Sequence, residues 1–385
     1  MEIEKRKKFK LLGKRKQYLF NSFIICLVVS TFCLFFLRSV FINKSSQDIA
    51  TTVSGILGTA LGFFGSILVY KALREQVKAN KLIQKQFQIQ VFESRLYKML
   101  DIYNLNVSDL KFIGRKTGNQ FEGKKVFSNM INNYNKLRKE ILLFNKWKEY
   151  TIEDIINVEY KNELNKYKNN SKIEIWIILE LSYIIFFYGA GVTGRKNIKS
   201  LLDKKYNKEY LKQLVNFLSN KPVEYNTSLV TKQNWKKIFS NFSNFDNPNN
   251  ASFDKYYNGH QSNLGHYYRH IFMIIKYING QKMLTYLEKW EYSKLLRTQL
   301  SNHEQELLFL NSICVLGRDW ELKHIVSEND DEKENERFIT KYDLIRNVSK
   351  SIRDKYKIES FYPNVEYEQK DITSYRKYLE DNVYK

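Results

Sequence analysis

Residues 18–37 read YLFNSFIICLVVSTFCLFFL and residues 49–70 read IATTVSGILGTALGFFGSILVY; neither run carries a charged side chain. At about 1.5 Å per residue, some twenty helical residues reach across the roughly 30 Å hydrocarbon core of a bilayer. Both runs are therefore expected to cross a membrane as helices, with residues 38–48 as a short external loop between them. A secretory signal peptide has an apolar core of roughly 7–15 residues followed by a small-x-small cleavage site. The first run is longer than that, and no such site follows it.

The flanks set the orientation. Residues 1–17 are basic, with Lys5, Arg6, Lys7, Lys8, Lys10, Lys14, Arg15 and Lys16, and the second run is followed by Lys71, Arg74, Lys78, Lys81 and Lys85. The loop holds only Arg38, Lys44 and Asp48. Because basic residues stay on the cytoplasmic side, both termini are expected there. So small a loop is no receptor domain, which leaves sensing and action to the inside of the cell or to the bilayer. Gly55, Gly58, Gly62 and Gly65 give the second run one face of small residues, on which another helix can approach closely. Its partner is either the first run or a second copy of the chain.

From Lys71 to about Asn106 the sequence is helical and polar. Leu73, Val77, Phe87 and Val91 lie near a seven-residue stripe that Asn80 and Gln84 interrupt, as in a stalk or short coiled coil. Phe92, Leu96, Met99, Leu100 and Tyr103 then recur at helical spacing and are expected in a core. Residues 107–385 are expected to form one α-helical cytoplasmic domain. Within it, Phe127, Met130, Ile131, Tyr134 and Leu137 make one apolar stripe. Residues 173–188, IEIWIILELSYIIFFY, are short for a membrane span and carry Glu174 and Glu180, so they predict a buried central helix. Residues 220–262 and 327–336 are loose: the first is rich in Asn, Ser and Pro, the second is acidic. Few runs alternate with period two, so the fold class is mainly α with at most a small sheet.

Composition bounds the partners. The chain of 385 residues has 63 basic against 41 acidic side chains, a formal charge of +22. An anionic partner, nucleic acid or the inner membrane surface, is one explanation; a solvated Lys-rich surface is the other. Cys26 and Cys33 lie in the apolar run and Cys314 stands alone, so no disulfide framework and no metal spacing is present. Gly189-Ala-Gly191-Val-Thr-Gly194 spells G-x-G-x-x-G, yet a dinucleotide site needs a strand before it and an acidic residue about 20 positions later. Here a helical run precedes and Lys and Asn follow. The glycines predict a helix exit, and no cofactor is expected.

Four of the five histidines, His260, His266, His270 and His303, fall between positions 260 and 303. On a helix His266, Arg269 and His270 share one side. The zinc-hydrolase pattern has Glu after its first His, whereas Tyr267 stands here. Either these groups are hydrogen-bonded at a helix start or they form a site. Further on, Ser301-x-x-Glu304 before an apolar run is a capping box, so a helix should begin at Asn302 and end near Gly317. Arg297 closes the helix before it, and the corner between the two suits an anion such as phosphate. The Arg297-to-His303 spacing also resembles that of metal-independent HEPN-type ribonucleases. In that reading His266 or His270 serves as acid or base, Arg297 holds a phosphate, and Asn302 and Glu306 orient.

Taken together, Phe92-Glu-Ser-Arg95-Leu-Tyr after the double span, IIFFYG at 184–189, GHYYRHIFMIIKYI at 265–278 and KLLRTQLSNHEQELLFLNS at 294–312 resemble the putative phage abortive infection protein family (AbiC-type) over roughly residues 50–350. The resemblance implies a bacterial defence role in the cytoplasmic membrane, where infection triggers arrest or death of the host before phage matures. It implies no established catalytic mechanism. Two readings follow. In one, the cytoplasmic domain senses a phage-derived trigger and the glycine-faced hairpin, re-associating as the chain oligomerises, compromises the membrane. In the other, the 265–306 constellation makes a tethered nuclease or nucleic-acid-binding module. A membrane scaffold without a defence role is a third.

Overall fold

The second apolar run and the polar stretch after it form a single helix, α1 (Ser46–Ser108, 63 residues), in the computed structural model of the chain. The structure describes residues 45–113, 120–167, 173–219, 258–325 and 336–368, with Ser30 and Arg38 besides. Of the first apolar run, residues 18–37, all but Ser30 lie outside the described residues, so a two-helix hairpin is not shown. The chain divides into two units, Met1–Phe87 and Gln88–Lys385.

In the first unit the described chain is α1, with Ser30, Arg38 and Ser45 besides. The helix is long and apolar enough to cross a membrane. Leu57, Leu61, Phe63, Phe64 and Leu68 are each more than half exposed, and among the described residues a Cβ built on Gly55, Gly58, Gly62 or Gly65 meets nothing within 4 Å. Large apolar side chains over a continuous exposed surface are unfavourable in water, and lipid removes that penalty. Leu73, Val77 and Phe87 on the polar continuation are exposed as well.

The second unit begins on the same helix, where the pattern changes: Phe92, Leu96, Leu100 and Tyr103 are buried. A two-stranded antiparallel hairpin follows, β1 (Lys111–Ile113) with β2 (Gln120–Glu122), pairing Phe112 with Phe121. It lies inside residues 107–385, expected to be α-helical with at most a small sheet. Three-residue strands are too short for period-two alternation to show. Then come α2 (Lys124–Trp147), α3 (Ile152–Ile155), α4 (Val158–Lys166), α5 (Ile173–Tyr188), α6 (Val192–Leu202) and α7 (Lys208–Ser219). After the undescribed 220–257 the chain resumes with α8 (Gln261–Asn279), α9 (Tyr286–Gln299), α10 (Asn302–Ile313), α11 (Leu322–Ile325), α12 (Phe338–Lys341), α13 (Lys350–Tyr356) and α14 (Ile358–Phe361). Gln261 and Ser262, at the end of the stretch expected to be loose, form the first turn of α8. The acidic 327–336 stretch lies outside the described residues except for Glu336.

The core is built on α5, which packs against α2, α6 and α10. Trp176, Ile177, Leu179, Leu181, Ile184 and Ile185 are all buried; each such side chain contributes about 2 kcal/mol of transfer free energy. This is a helix of the protein interior, as its two glutamates imply. Against it lies the apolar stripe of α2, with Phe127, Met130, Tyr134 and Leu137 at 1% exposure or less. The three glycines after α5 are structural. Gly189 has φ 80° and bonds Ile185 O through its N–H at 2.8 Å, ending the helix. Gly191 is the N-cap of α6, and a Cβ on Gly194 would sit 2.1 Å from Gly189 O. A helix stands where a dinucleotide fold would have a strand.

Candidate functional site

The site is built on α10, the helix that the capping box announces. Ser301 Oγ accepts from the Glu304 N–H, while the Glu304 carboxylate accepts from the Ser301 N–H at 2.8 Å and from its hydroxyl at 2.6 Å. The helix ends at Ile313 and the chain reaches Gly317 through a turn. A Cβ on Gly317 would sit 2.3 Å from Asn311 O, which is why glycine stands there. Every residue from Glu304 to Ile313 is buried, five of them polar: Glu304, Gln305, Glu306, Asn311 and Ser312. Buried polar groups are tolerable only when hydrogen-bonded, and these are. Gln305 Nε2 donates to Leu300 O and its Oε1 accepts from Asn347 N–H. Asn311 reaches Tyr183 and Trp320, and Ser312 accepts from Tyr362.

The two glutamates meet different partners. Glu304 accepts from the hydroxyl of Tyr103 on α1 at 2.5 Å and from that of Tyr267 on α8 at 3.0 Å. Burial, reinforced by the Glu304 charge, pushes both phenols far above the usual tyrosine range. Glu306 lies 2.7 Å from the Tyr356 hydroxyl, 3.6 Å from Lys355 Nζ and 3.8 Å from His303 Nδ1. Tyr356 also approaches Asn135 Oδ1 at 2.8 Å, and its ring lies under Lys355 Nζ at 4.3 Å and the Arg138 guanidinium at 5.3 Å. Partial burial pulls Lys355 below the ordinary lysine range despite the Glu306 charge. His303 Nδ1 and Arg138 Nε are buried atoms without a hydrogen-bond partner. One buried carboxylate, a half-exposed imidazole and two cations thus surround a phenol.

The residues singled out in the sequence divide accordingly. His303 and Glu306 come together. Arg297 does not join them: it is 5% exposed, donates to Tyr342 O at 3.0 Å and lies 4.9 Å over the Trp290 ring. Burial lowers its pKa, with Asp343 opposing. The cation of the α9–α10 corner is thus spent on the interior, and the Glu304 and Gln305 amides of the first turn of α10 are met by Ser301. Asn302 is exposed at the start of α10. On α8, His266 and Arg269 are exposed, Arg269 donating to Gly265 O. His270 Nε2 bonds Met99 O at 2.8 Å and so carries its proton on that nitrogen, joining α8 to α1. His260 lies between Phe186 and Phe112, and burial alone depresses its pKa to about 4. Among the described residues no group of three or more His, Cys, Asp or Glu side chains is placed to hold a metal ion.

Tyr103, Tyr267, Lys355, Tyr356 and Arg138 escape a search for histidine and arginine spacings. Their one trace in the sequence is the string Glu304-Gln-Glu306 set inside an apolar run, since buried carboxylates require donors from elsewhere. A further buried node joins α4, α5 and the turn after α10. Arg318 Nη2 meets Glu180 at 3.0 Å and also the Tyr160 hydroxyl, while Nη1 meets Glu163 at 2.6 Å. Tyr206 and the Val315 N–H complete the shell of Glu180 at 2.9 Å each.

Residues 259–352, from the entry of α8 to α13, match the family model described as "Putative phage abortive infection protein". The match contains α8, α9 and α10, and is narrower than the 50–350 range over which the sequence motifs resemble the family. Neither a curated protein nor a solved structure matches the chain.

Proposed function

We propose that the protein is a bacterial anti-phage defence protein of the abortive-infection kind, held at the cytoplasmic membrane by an N-terminal hairpin of which α1 is the second arm. The observation that carries this is the family match over 259–352. The exposed apolar run of α1 supports the membrane part. On this reading the helical unit senses infection and the membrane helices act on it, with loss of the membrane barrier as the lethal step. The test is growth of a bacterial host expressing the chain, challenged with a phage panel. Survival at low multiplicity with collapse at high multiplicity is expected, with dye entry during infection. No protection relative to an empty vector across the panel would sink the defence reading; protection with an intact membrane would sink only the membrane step.

A nuclease reading keeps one specific support, the unpartnered His303 Nδ1 at 3.8 Å from Glu306 beside Lys355. An imidazole and a carboxylate at that separation, with cations adjacent, can take the proton of a ribose 2′-hydroxyl as it attacks the phosphorus and deliver one to the departing 5′-oxygen. His303→Gln and Glu306→Gln are then expected to abolish RNA cleavage during infection at unchanged protein level. Intact tRNA and rRNA throughout a protective response would rule the reading out.

A further inference from the structure

A cavity of about 650 Å³ opens between α4 and α6, away from the Glu306 cluster. That volume lies in the range of small-molecule sites. Its ion pairs leave a surplus of positive charge. Lys205 is paired with Glu163 at 2.8 Å, and Asp203 is paired with Lys208 at 3.2 Å. Lys196, Lys199 and Lys204 also line it and have no acidic partner among the described residues; Glu159 has no basic one. Three uncompensated ammonium groups face one uncompensated carboxylate. Lys196 and Lys199 are one turn apart on α6, so they share a face, and Lys204 follows in the turn after it.

The floor of the cavity is wired to the core. Tyr160 and Glu163 both line it, and both bind Arg318. Arg318 in turn holds Glu180 of α5 and lies 5.8 Å over the Trp176 ring, whose indole N–H donates to Ile313 O at the end of α10. Glu163 bridges Lys205 and Arg318, so a phosphoryl group that takes Lys205 leaves Glu163 to Arg318 alone, at the end of a chain of contacts that reaches α5 and α10. Occupancy should therefore be felt beyond the cavity.

We propose that this cavity binds a small soluble molecule of the nucleoside polyphosphate class. Lys196, Lys199 and Lys204 take the phosphoryl oxygens, and Glu159 accepts from a sugar hydroxyl. Only the biological role assigned to the ligand, a signal read by the helical unit, rests on the defence reading above; the binding does not.

The test uses the purified full chain in phosphatidylcholine nanodiscs, titrated with ATP and ADP and with adenosine and inorganic phosphate as controls at matched ionic strength. Calorimetry gives the affinity, and Trp fluorescence and the unfolding midpoint report the response. ATP is expected to bind and raise the midpoint, adenosine to do neither. Lys196→Gln and Lys199→Gln, which remove the charge of exposed side chains but leave them polar, should each weaken ATP about tenfold, and Lys196→Glu with Lys199→Glu should abolish binding. Lys276→Glu, an exposed charge reversal on α8, should change it less than twofold. Far-UV circular dichroism checks that each variant is folded. Equal affinity in the Lys196 and Lys199 variants, a response to ATP no larger than to inorganic phosphate, or a response only in phosphatidylglycerol nanodiscs would overturn the proposal. A chain that binds ATP but gives no protection leaves the site standing and sinks the defence reading; a protective chain without an ATP response does the reverse.

Discussion

At the scale of single residues, two buried groups oppose one another in their response to acid. Burial raises the Asp343 carboxyl to about 6, against the pull of the Glu366 N–H it accepts from and of Arg297 and Arg346. Between about pH 6 and 4 the folded chain takes up that proton before the unfolded chain does, so acidification stabilises through Asp343. His260, depressed to about 4, behaves in the opposite sense. Its unfolded imidazole takes a proton near pH 6.5 while the folded one stays neutral, so acidification over nearly the same window destabilises. At about 1.4 kcal/mol per unit the two contributions are each on the order of 3 kcal/mol and largely cancel. Asp343→Asn removes one of them while keeping an acceptor for the Glu366 N–H and a residue type that tolerates φ 50°. Between pH 6.5 and 4.5 the unfolding midpoint of the variant should therefore fall further than that of the parent, by roughly 3 °C. Parallel profiles would mean that Asp343 titrates at its ordinary value in the folded chain.

At the scale of elements, the helix ends separate what the sequence discloses from what it hides. The Ser301-x-x-Glu304 box fixes the start of α10 within one turn, and the apolar stripe of α2 and the run of α5 need only their own periodicity to be read as core. Ser301→Ala removes the acceptor for the Glu304 N–H and should cost about 1 kcal/mol, as capping losses do. Glu304→Ala should cost about 3 kcal/mol or more, because the hydroxyls of Tyr103 and Tyr267 lose their buried acceptor. Chemical denaturation distinguishes the two; equal losses would mean that the tyrosines find other partners. A second pair of predictions concerns the tight exit of α5. Gly194→Ala puts a methyl 2.1 Å from Gly189 O, and Gly259→Ala puts one 2.2 Å from Phe187 O. Neither neighbour is a side chain that can swing away, so both variants should unfold several degrees earlier or fail to accumulate, whereas Gly265→Ala, with its nearest atom at 3.9 Å, should be tolerated. The same contacts explain the limit of sequence reading. Nothing local to Arg297 reveals that Tyr342, 45 residues on, accepts its proton, or that Arg318 pairs with Glu180 from 138 residues away. A spacing such as Arg297-to-His303 records neighbours along the chain, whereas burial is decided by what packs across it.

At the scale of the molecule, the proposed membrane hairpin accounts together for the two uncharged runs and their basic flanks, because basic segments beside apolar helices are retained on the cytoplasmic face of a membrane. The hairpin makes a topological prediction. Ser45→Cys, in the short loop before α1, should react with a membrane-impermeant maleimide in intact spheroplasts, while Lys85→Cys should react only after permeabilisation, each measured above the background of Cys26, Cys33 and Cys314. Reaction of Lys85→Cys alone from outside would invert the orientation; the same behaviour at both positions, reactive or protected, would put the two ends of the apolar run on one side and mean that α1 does not cross. If the topology holds, the glycine face of α1 becomes the place to separate anchoring from action. Gly58→Leu with Gly62→Leu meets nothing among the described residues within reach of a Cβ, so the helical unit should fold and the protein should still fractionate with membranes. In lipid, however, two leucines on that face prevent the close approach that small residues allow. Loss of dye entry and of phage protection at unchanged protein level would identify helix association as the step that damages the membrane. Unchanged dye entry would reduce α1 to a tether and move the search for the lethal step to Glu306 and its neighbours.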